Sequence, residues 1–196
     1  LQTRVSLVIA GKLTKNKNCQ NGRESMVETI KYEVIREIGK VEIRSYPKIV
    51  VARVEESSDG FNLLYRFITG ENRQRAKVKM TSPVVSQKVE MTSPVLSETG
   101  TMAFVMPKEY TLETTPEPLN NYVKIVEIPA RLIAALCFSG GWSEAHFEKE
   151  TKELLNTLSE AKIKSKGDVF TMLYNPPFIP GFLRRNEVAV EIEQIP

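Results

Sequence analysis

Histidine is nearly absent from this chain of 196 residues: there is one, His146. Zinc sites built on histidine pairs, Cys-His nucleophile pairs and Ser-His-Asp triads all need an imidazole placed by the fold, and one helical histidine leaves little room for them. Cysteine is equally scarce. Cys19 lies in a polar Lys/Asn stretch and Cys137 inside the apolar run Leu132 to Phe138, so a disulfide framework is not expected. No apolar run approaches the roughly 20 residues that cross a bilayer. HExxH, GxSxG and a glycine-rich phosphate loop are missing as well.

Basic charge is also scarcer than the net +3 suggests. Residues 1–25 carry Arg4, Lys12, Lys15, Lys17 and Arg23 against Glu24, which leaves 22 of the 27 basic and 23 of the 24 acidic side chains to residues 26–196. A slightly acidic domain lacks the charge excess that phosphate backbones demand, so no nucleic-acid partner is expected. Residues 1–25 read as a disordered leader or appended sequence, with Val5 to Ala10 too short and too poorly followed for a good targeting signal. The remainder, residues 26–196, reads as a single domain of cytoplasmic type, large enough to bury a core without staples. Nothing in the pattern speaks to oligomeric state.

What is present is periodicity. Val41 and Ile43 alternate with Glu42 and Arg44, Tyr46-Pro47 breaks the run, and Ile49 to Val54 is nearly continuous and β-branched, which predicts two adjacent antiparallel strands. Phe61, Leu64, Tyr65 and Ile68 then follow helical spacing, with Gly70 placed as a C′ residue. The same order recurs. Val123, Ile125 and Ile128 lead to Pro129, to the strand Leu132 to Phe138, to Ser139-Gly140-Gly141 and to a helix whose apolar face holds Phe147, Thr151, Leu154, Leu155 and Leu158. Shifting the sequence by 82 residues lays Val41 on Val123, Ile43 on Ile125, Pro47 on Pro129 and Ala52 on Ala134. The expected architecture is α+β, with two pseudo-two-fold halves, residues 32–110 and 121–196. Each half is strand, strand, helix, strand, strand, and together they form a distorted antiparallel barrel flanked by two helices. A cleft between such halves is a natural place for a small ligand.

Several motifs bear on that cleft. Met80-Thr81-Ser82-Pro83-Val84 and Met91-Thr92-Ser93-Pro94-Val95 form a tandem in which each proline belongs at a strand edge, end or bulge. Their methionines either adapt to a flat apolar ligand or fill the core beneath a bent strand. Arg66, Arg73, Arg75, Lys77 and Lys79 cluster between the first helix and the first of these segments. They form either an anion-binding rim or a charged loop. Trp142 reads as a packing anchor, and in Arg184-Arg185-Asn186-Glu187 an Arg-Glu pair is expected to fix the entry of the last strand.

The two Met-Thr-Ser-Pro-Val segments stand in order with Met102-Ala103-Phe104-Val105-Met106-Pro107 and Tyr110, Phe138-Ser139-Gly140, Tyr174-Asn175-Pro176-Pro177 and Arg184-Arg185-Asn186-Glu187-Val188. In this combination, from about Tyr32 to Ile195, the chain resembles the SOUL haem-binding protein family. The resemblance implies a barrel similar to bacterial effector-binding domains, and binding of haem or another porphyrin. The leading reading is a carrier, buffer or sensor, and the thin inventory of catalytic motifs leads us to expect no catalysis. His146 sits about 100° from the buried stripe of its helix, so it reads as solvated and as the minority choice for an axial iron ligand. An apolar cleft without a metal bond is preferred. Leu64, Arg66, Arg75, Lys77, Met80, Met91, Tyr174 and Phe178 are the candidate ligand-binding residues, with the cations meeting the propionates. Two other readings remain: an effector-type module for another planar apolar molecule, and a small-molecule hydrolase using a carboxylate with Tyr174 or Tyr110.

Overall fold

A computed structural model describes residues 28–55, 59–87, 100–176 and 178–195. The leader, Met91 with the second Met-Thr-Ser-Pro-Val segment, and Pro177 lie outside the described residues. In chain order the strands are β1 (Glu28–Thr29), β2 (Glu33–Ile38), β3 (Val41–Tyr46), β4 (Ile49–Val54), β5 (Thr81–Ser82), β6 (Val84–Gln87), β7 (Thr101–Val105), β8 (Lys124–Ile128), β9 (Arg131–Phe138), β10 (Ser165–Leu173) and β11 (Asn186–Ile192). Helix α1 (Gly60–Ile68) follows β4 and helix α2 (Glu144–Glu160) follows β9. β1 and β5 form a small parallel pair, and the other nine strands form one sheet ordered β2-β3-β9-β11-β10-β6-β7-β4-β8.

That order makes the duplication visible. Exchange each strand for its counterpart one repeat away (β3 with β8, β4 with β9, β6 with β10, β7 with β11) and the eight strands from β3 to β8 read the same backwards, about an axis between β10 and β6. The register agrees residue by residue: Ile43 faces Ala134 and Ala52 faces Ile125, so Ala52 and Ala134 occupy equivalent positions.

The expected strand pairing and the expected closure both fail. β3 and β4 do not pair with each other: β3 pairs with β9 of the second half, and β4 pairs with β8. Each half lends its first strand to the other. The Tyr46-Pro47 break is therefore a crossing between sheet regions rather than a hairpin turn. The sheet also stays open, ending at β2 and β8, instead of closing into a barrel. β2 has no counterpart in the second half. It joins β3 through a turn at Gly39 (φ +59°) and is largely exposed, so it offered no buried pattern to read.

Both helices cover one face. Leu154 and Leu158 of α2 pack on Val41, Ile43, Ala134, Leu136, Val188 and Val190, and Leu64, Phe67 and Ile68 of α1 pack on Val50, Ala52, Val54 and Phe104. Gly70 takes the expected C′ position with φ +119°. Strand alternation sends Ile133, Ala135, Phe170, Met172 and Ala189 of the second half, and Val51, Ala103 and Val105 of the first, to the opposite face. Ile30 touches both of these groups. Cys137, for which no disulfide was expected, is disulfide-bonded, with its partner outside the described residues.

Candidate functional site

Two features stand out, a polar cluster on the face opposite the helices and a cavity lined by residues from both faces of the sheet. The first is buried and chemically closed. Arg44 is fully buried on β3, and Glu187 is fully buried on β11. They meet as a two-pronged ion pair, with Arg44 Nη1 donating to Glu187 Oε2 at 2.7 Å and Nη2 to Oε1 at 3.1 Å. Arg185 Nη2 donates to Oε1 at 2.7 Å, and the Tyr174 hydroxyl donates to Oε2 at 2.9 Å. Arg44 also pairs with Glu42 at 2.8 Å and lies over the Tyr32 ring, which stacks on Tyr46. The Arg185 guanidinium lies over Tyr174 and donates to the Tyr32 hydroxyl.

Charges in this cluster are matched. Burial alone would raise the Glu187 carboxyl, but Arg44 and Arg185 together hold it below the usual carboxylate range. Burial, reinforced by Glu187, pushes the Tyr174 hydroxyl well above the ordinary tyrosine value, and Tyr46 is pushed up, chiefly by burial, to about 12. Every strong group already has its partner, and the cluster ties the first half to the second. The Arg-Glu pair expected at the start of the last strand is thus Arg185 with Glu187, joined by an Arg44 that no local pattern announced.

The second feature is an open cavity of about 650 Å³. Its floor is Val50, Thr81, Val105, Met106 and Pro107, all buried. Ile30, Ile49 and Tyr110 form half-buried walls, and Lys31, Lys48, Lys108, Thr111 and Glu127 stand exposed at the rim. Lys48 is paired with Glu127 at 3.1 Å. Three cations against one carboxylate leave the rim net positive. Ile30 and Ile49 also wall a much smaller void lined by Tyr46, Ile133, Phe170 and Met172, so Ile30 stands between the two spaces.

The residues picked out from sequence do not gather at this cavity. Leu64 is buried in the core beneath α1. Arg66 is bound to Glu71, with Nη2 to Oε1 at 2.9 Å, and Arg75 and Lys77 point to solvent. The cause is Asn72. Fully buried, it donates to the carbonyls of Phe67 and Ala76 and accepts from the Ala76 N–H, folding the basic loop back on the end of α1. Met80 is 38% exposed, neither core nor cavity, and Phe178 is 82% exposed on a separate loop. Tyr174 is held by Glu187, while Tyr110, the other tyrosine considered, does line the cavity. Met91 lies outside the described residues.

His146 is likewise not the solvated side chain that helical phase suggests. Its ring packs edge-on against Phe138 with centroids 4.9 Å apart and covers Gly140, while Nε2 lies 3.6 Å from Glu150. It lies outside the cavity lining. Gly140 has φ +143°, and a Cβ there would run into the His146 ring at Cε1. Gly140→Ala is therefore expected to cost about 1–3 kcal/mol, and adding His146→Ala should restore the steric part but not the backbone part. Urea melts of the two variants check this; an unchanged Gly140→Ala midpoint would deny the contact. Trp142 serves as an anchor, with its Nε1 donating to Asn186 Oδ1 at 2.8 Å and the Arg184 guanidinium over its ring.

Sequence reasoning missed Lys31, Lys48 and Lys108. A signal was available for two of them: Pro47-Lys48 and Pro107-Lys108 both sit just past a strand end, where a proline stops the ladder and leaves the next side chain at the sheet margin. Among the described residues no group of three or more His, Cys, Asp or Glu side chains could hold a metal ion, and no helix is long and apolar enough to cross a membrane.

Comparison with known proteins places this geometry. Residues 27–191 match the family described as SOUL heme-binding protein. Heme-binding protein 2 of Homo sapiens is 30% identical over 159 residues, covering 76% of this chain and 77% of that protein. Heme-binding protein 1 of Xenopus laevis is 27% identical over 135 residues, covering 68% and 70%. Among solved structures, the C-terminal domain of EcmrR superposes with a TM-score of 0.58 at 7% identity over 84% of this chain and 99% of that one. A hydrolase from Listeria innocua superposes with a TM-score of 0.54 at 14% identity over 79% and 92%. Those two likenesses concern the fold alone. With the match running from the pair β1 and β5 to the last strand, the chain belongs to the SOUL heme-binding protein family.

Proposed function

We propose that this protein binds a tetrapyrrole in the 650 Å³ cavity, as a carrier, buffer or sensor rather than as a catalyst. The cavity itself carries the reading. Its volume falls within the range of about 300–1,000 Å³ typical of small-molecule sites. Its floor and walls are apolar enough for a flat macrocycle, and its rim lysines suit the macrocycle's carboxylates. The relatives' names, heme-binding proteins 1 and 2, point the same way.

The donor set fits haem as a macrocycle better than as a metal complex. Ile30, Ile49, Val50, Val105, Met106 and Tyr110 would hold the ring, and Lys31 and Lys108 the propionates. Among the described residues, neither histidine nor cysteine lines the cavity. Bound haem would supply its iron's redox and gas-binding chemistry, and this chain's residues would supply burial and charge. Against catalysis stands the placement of the strongly perturbed groups. Glu187 and Tyr174 lie outside the cavity lining and are bonded to each other, so neither is poised to move a proton to a bound molecule.

Absorption titrations with haem and with iron-free protoporphyrin test this. Both rings are expected to bind with similar affinity, and His146→Ala should leave both within about threefold, because no iron bond is lost. A sharp six-coordinate Soret band abolished by His146→Ala, with no binding of the iron-free ring, would overturn the cavity mode. Failure of both rings to bind at micromolar protein would overturn the function.

A further inference from the structure

The connection between β10 and β11 exposes apolar side chains that neither the core nor the cavity uses. Phe178 is 82% exposed, Phe182 76% and Leu183 63%. All three come from Asn175 to Arg185, a stretch that holds three prolines and no acidic residue. Single exposed apolar residues are ordinary, but three on one loop mark a place of contact.

The backbone beneath them is bonded to itself. The Ile179 N–H donates to the Pro176 carbonyl at 3.1 Å, the Leu183 N–H to Pro180 at 2.9 Å and the Arg184 N–H to Gly181 at 3.0 Å. The Gly181 carbonyl also accepts from the Gly140 N–H at 3.0 Å, and the Ile179 carbonyl from Arg184 Nε at 2.7 Å. Asn175 Oδ1 takes the Arg185 N–H at 2.6 Å, and the prolines have no N–H to satisfy. The root is braced as well, since a Cβ on Gly181 would stand 3.1 Å from the Gly141 nitrogen. A loop bonded in this way can leave water with few stranded polar groups, which is the condition for entering a lipid phase.

Area and charge decide between a lipid surface and a protein. At about 150–250 Å² for an aromatic side chain, the three residues offer on the order of 500 Å², short of the roughly 800 Å² that each partner brings to a stable protein interface. A bilayer needs no matching surface, because each side chain drops between headgroups by itself. At the root of the loop the Arg184 guanidinium lies over the Trp142 ring, and both side chains join an apolar body to a polar end, as the headgroup layer requires. Strand register puts the loop at the same end of the sheet as the cavity: Leu173 pairs with Val84 and Val84 with Phe104, next to the floor residue Val105. The net positive rim thus shares that end, which favours anionic lipid.

We propose that this loop anchors the protein to the surface of an anionic bilayer, with Phe178, Phe182 and Leu183 inserted among the headgroups. The chain lies on the membrane there and does not span it.

Flotation with vesicles of phosphatidylcholine and phosphatidylglycerol is the test. The unmodified protein is expected to float with the vesicles. Phe178→Ser and Phe182→Ser should each weaken partitioning about tenfold, and the pair together about 100-fold. Replacing both by leucine should keep most of the affinity, because a bilayer responds to apolar area rather than to ring shape. Circular dichroism melts should show every variant folded, since both rings are exposed. Failure of the unmodified protein to float, or flotation that the serine pair retains, would overturn the anchor. A concentration-dependent dimer that the serine pair abolishes, with the parent left behind by vesicles, would overturn it too and make the loop a contact between copies of this chain.

Discussion

Glu187→Ala is expected to cost about 3–5 kcal/mol in a urea melt, because it strands two guanidiniums that the fold has taken out of water. Arg44 is fully buried and would keep Glu42, the face of the Tyr32 ring and the Tyr46 hydroxyl, which receives an Nη1 hydrogen bond at 3.3 Å. Arg185 would lose its ion partner, and the Tyr174 hydroxyl its acceptor. Glu187→Gln keeps the shape but not the charge and should fall between the parent and the alanine variant. Acid should act in the same direction. The folded-state value for Glu187 lies below the ordinary one, so its stabilising contribution is complete above the unfolded value of about 4.3 and drains away as pH falls through the folded value. The parent should therefore lose stability below roughly pH 4 more steeply than Glu187→Gln. A loss under about 1 kcal/mol for Glu187→Ala would show that the cluster is no more than an exposed pair in effect.

Reversing the rim is expected to have the largest effect on ligand binding. Lys31→Glu combined with Lys108→Glu removes two attractive charges from the cavity mouth and adds two repulsive ones. With exposed charge interactions of about 0.5–1 kcal/mol each, the four changes together amount to about 3 kcal/mol, or on the order of 100-fold in affinity for a dicarboxylate ring. Added salt should weaken binding to the parent and strengthen binding to the reversed variant, since screening acts on both signs. Both side chains are exposed, so the melting temperature should hardly move. Equal affinity of the two proteins for protoporphyrin would place its carboxylates somewhere other than this rim.

Much of the scaffold was legible in the chain because it repeats. Ala52 and Ala134 are small where a strand runs beneath a helix, and β-branched neighbours mark the strands to either side, so the 82-residue shift found the true equivalence. The exchange of first strands was not legible. Alternation tells which face a residue takes, not which strand lies beside it, and Val41 to Tyr46 has the same pattern whether it pairs with β4 or with β9. The site was harder still. Arg66, Arg75 and Lys77 looked like an anion-binding rim because they are close in sequence, but one buried amide, Asn72, turns their loop away. The lysines that do stand at the cavity come from three distant segments, 31, 48 and 108, brought together only by the sheet.

The place of β11 has a bearing on how the molecule is made. It is the last of the strands in chain order, yet it lies inside the sheet, bonded to β9 on one side and β10 on the other. As the polypeptide leaves the ribosome, β9 and β10 must wait with open edges until residues 186–192 emerge and slip between them. During that interval the partly synthesised chain presents the kind of unsatisfied strand edge that attracts other chains. The pairings that end the wait, including Arg44 with Glu187, join residues far apart in sequence, so closure is a late and slow event compared with helix formation. Stalled or truncated synthesis short of β11 should thus yield a sticky intermediate rather than a smaller working protein, and a holdase chaperone near the exit tunnel would find its client here.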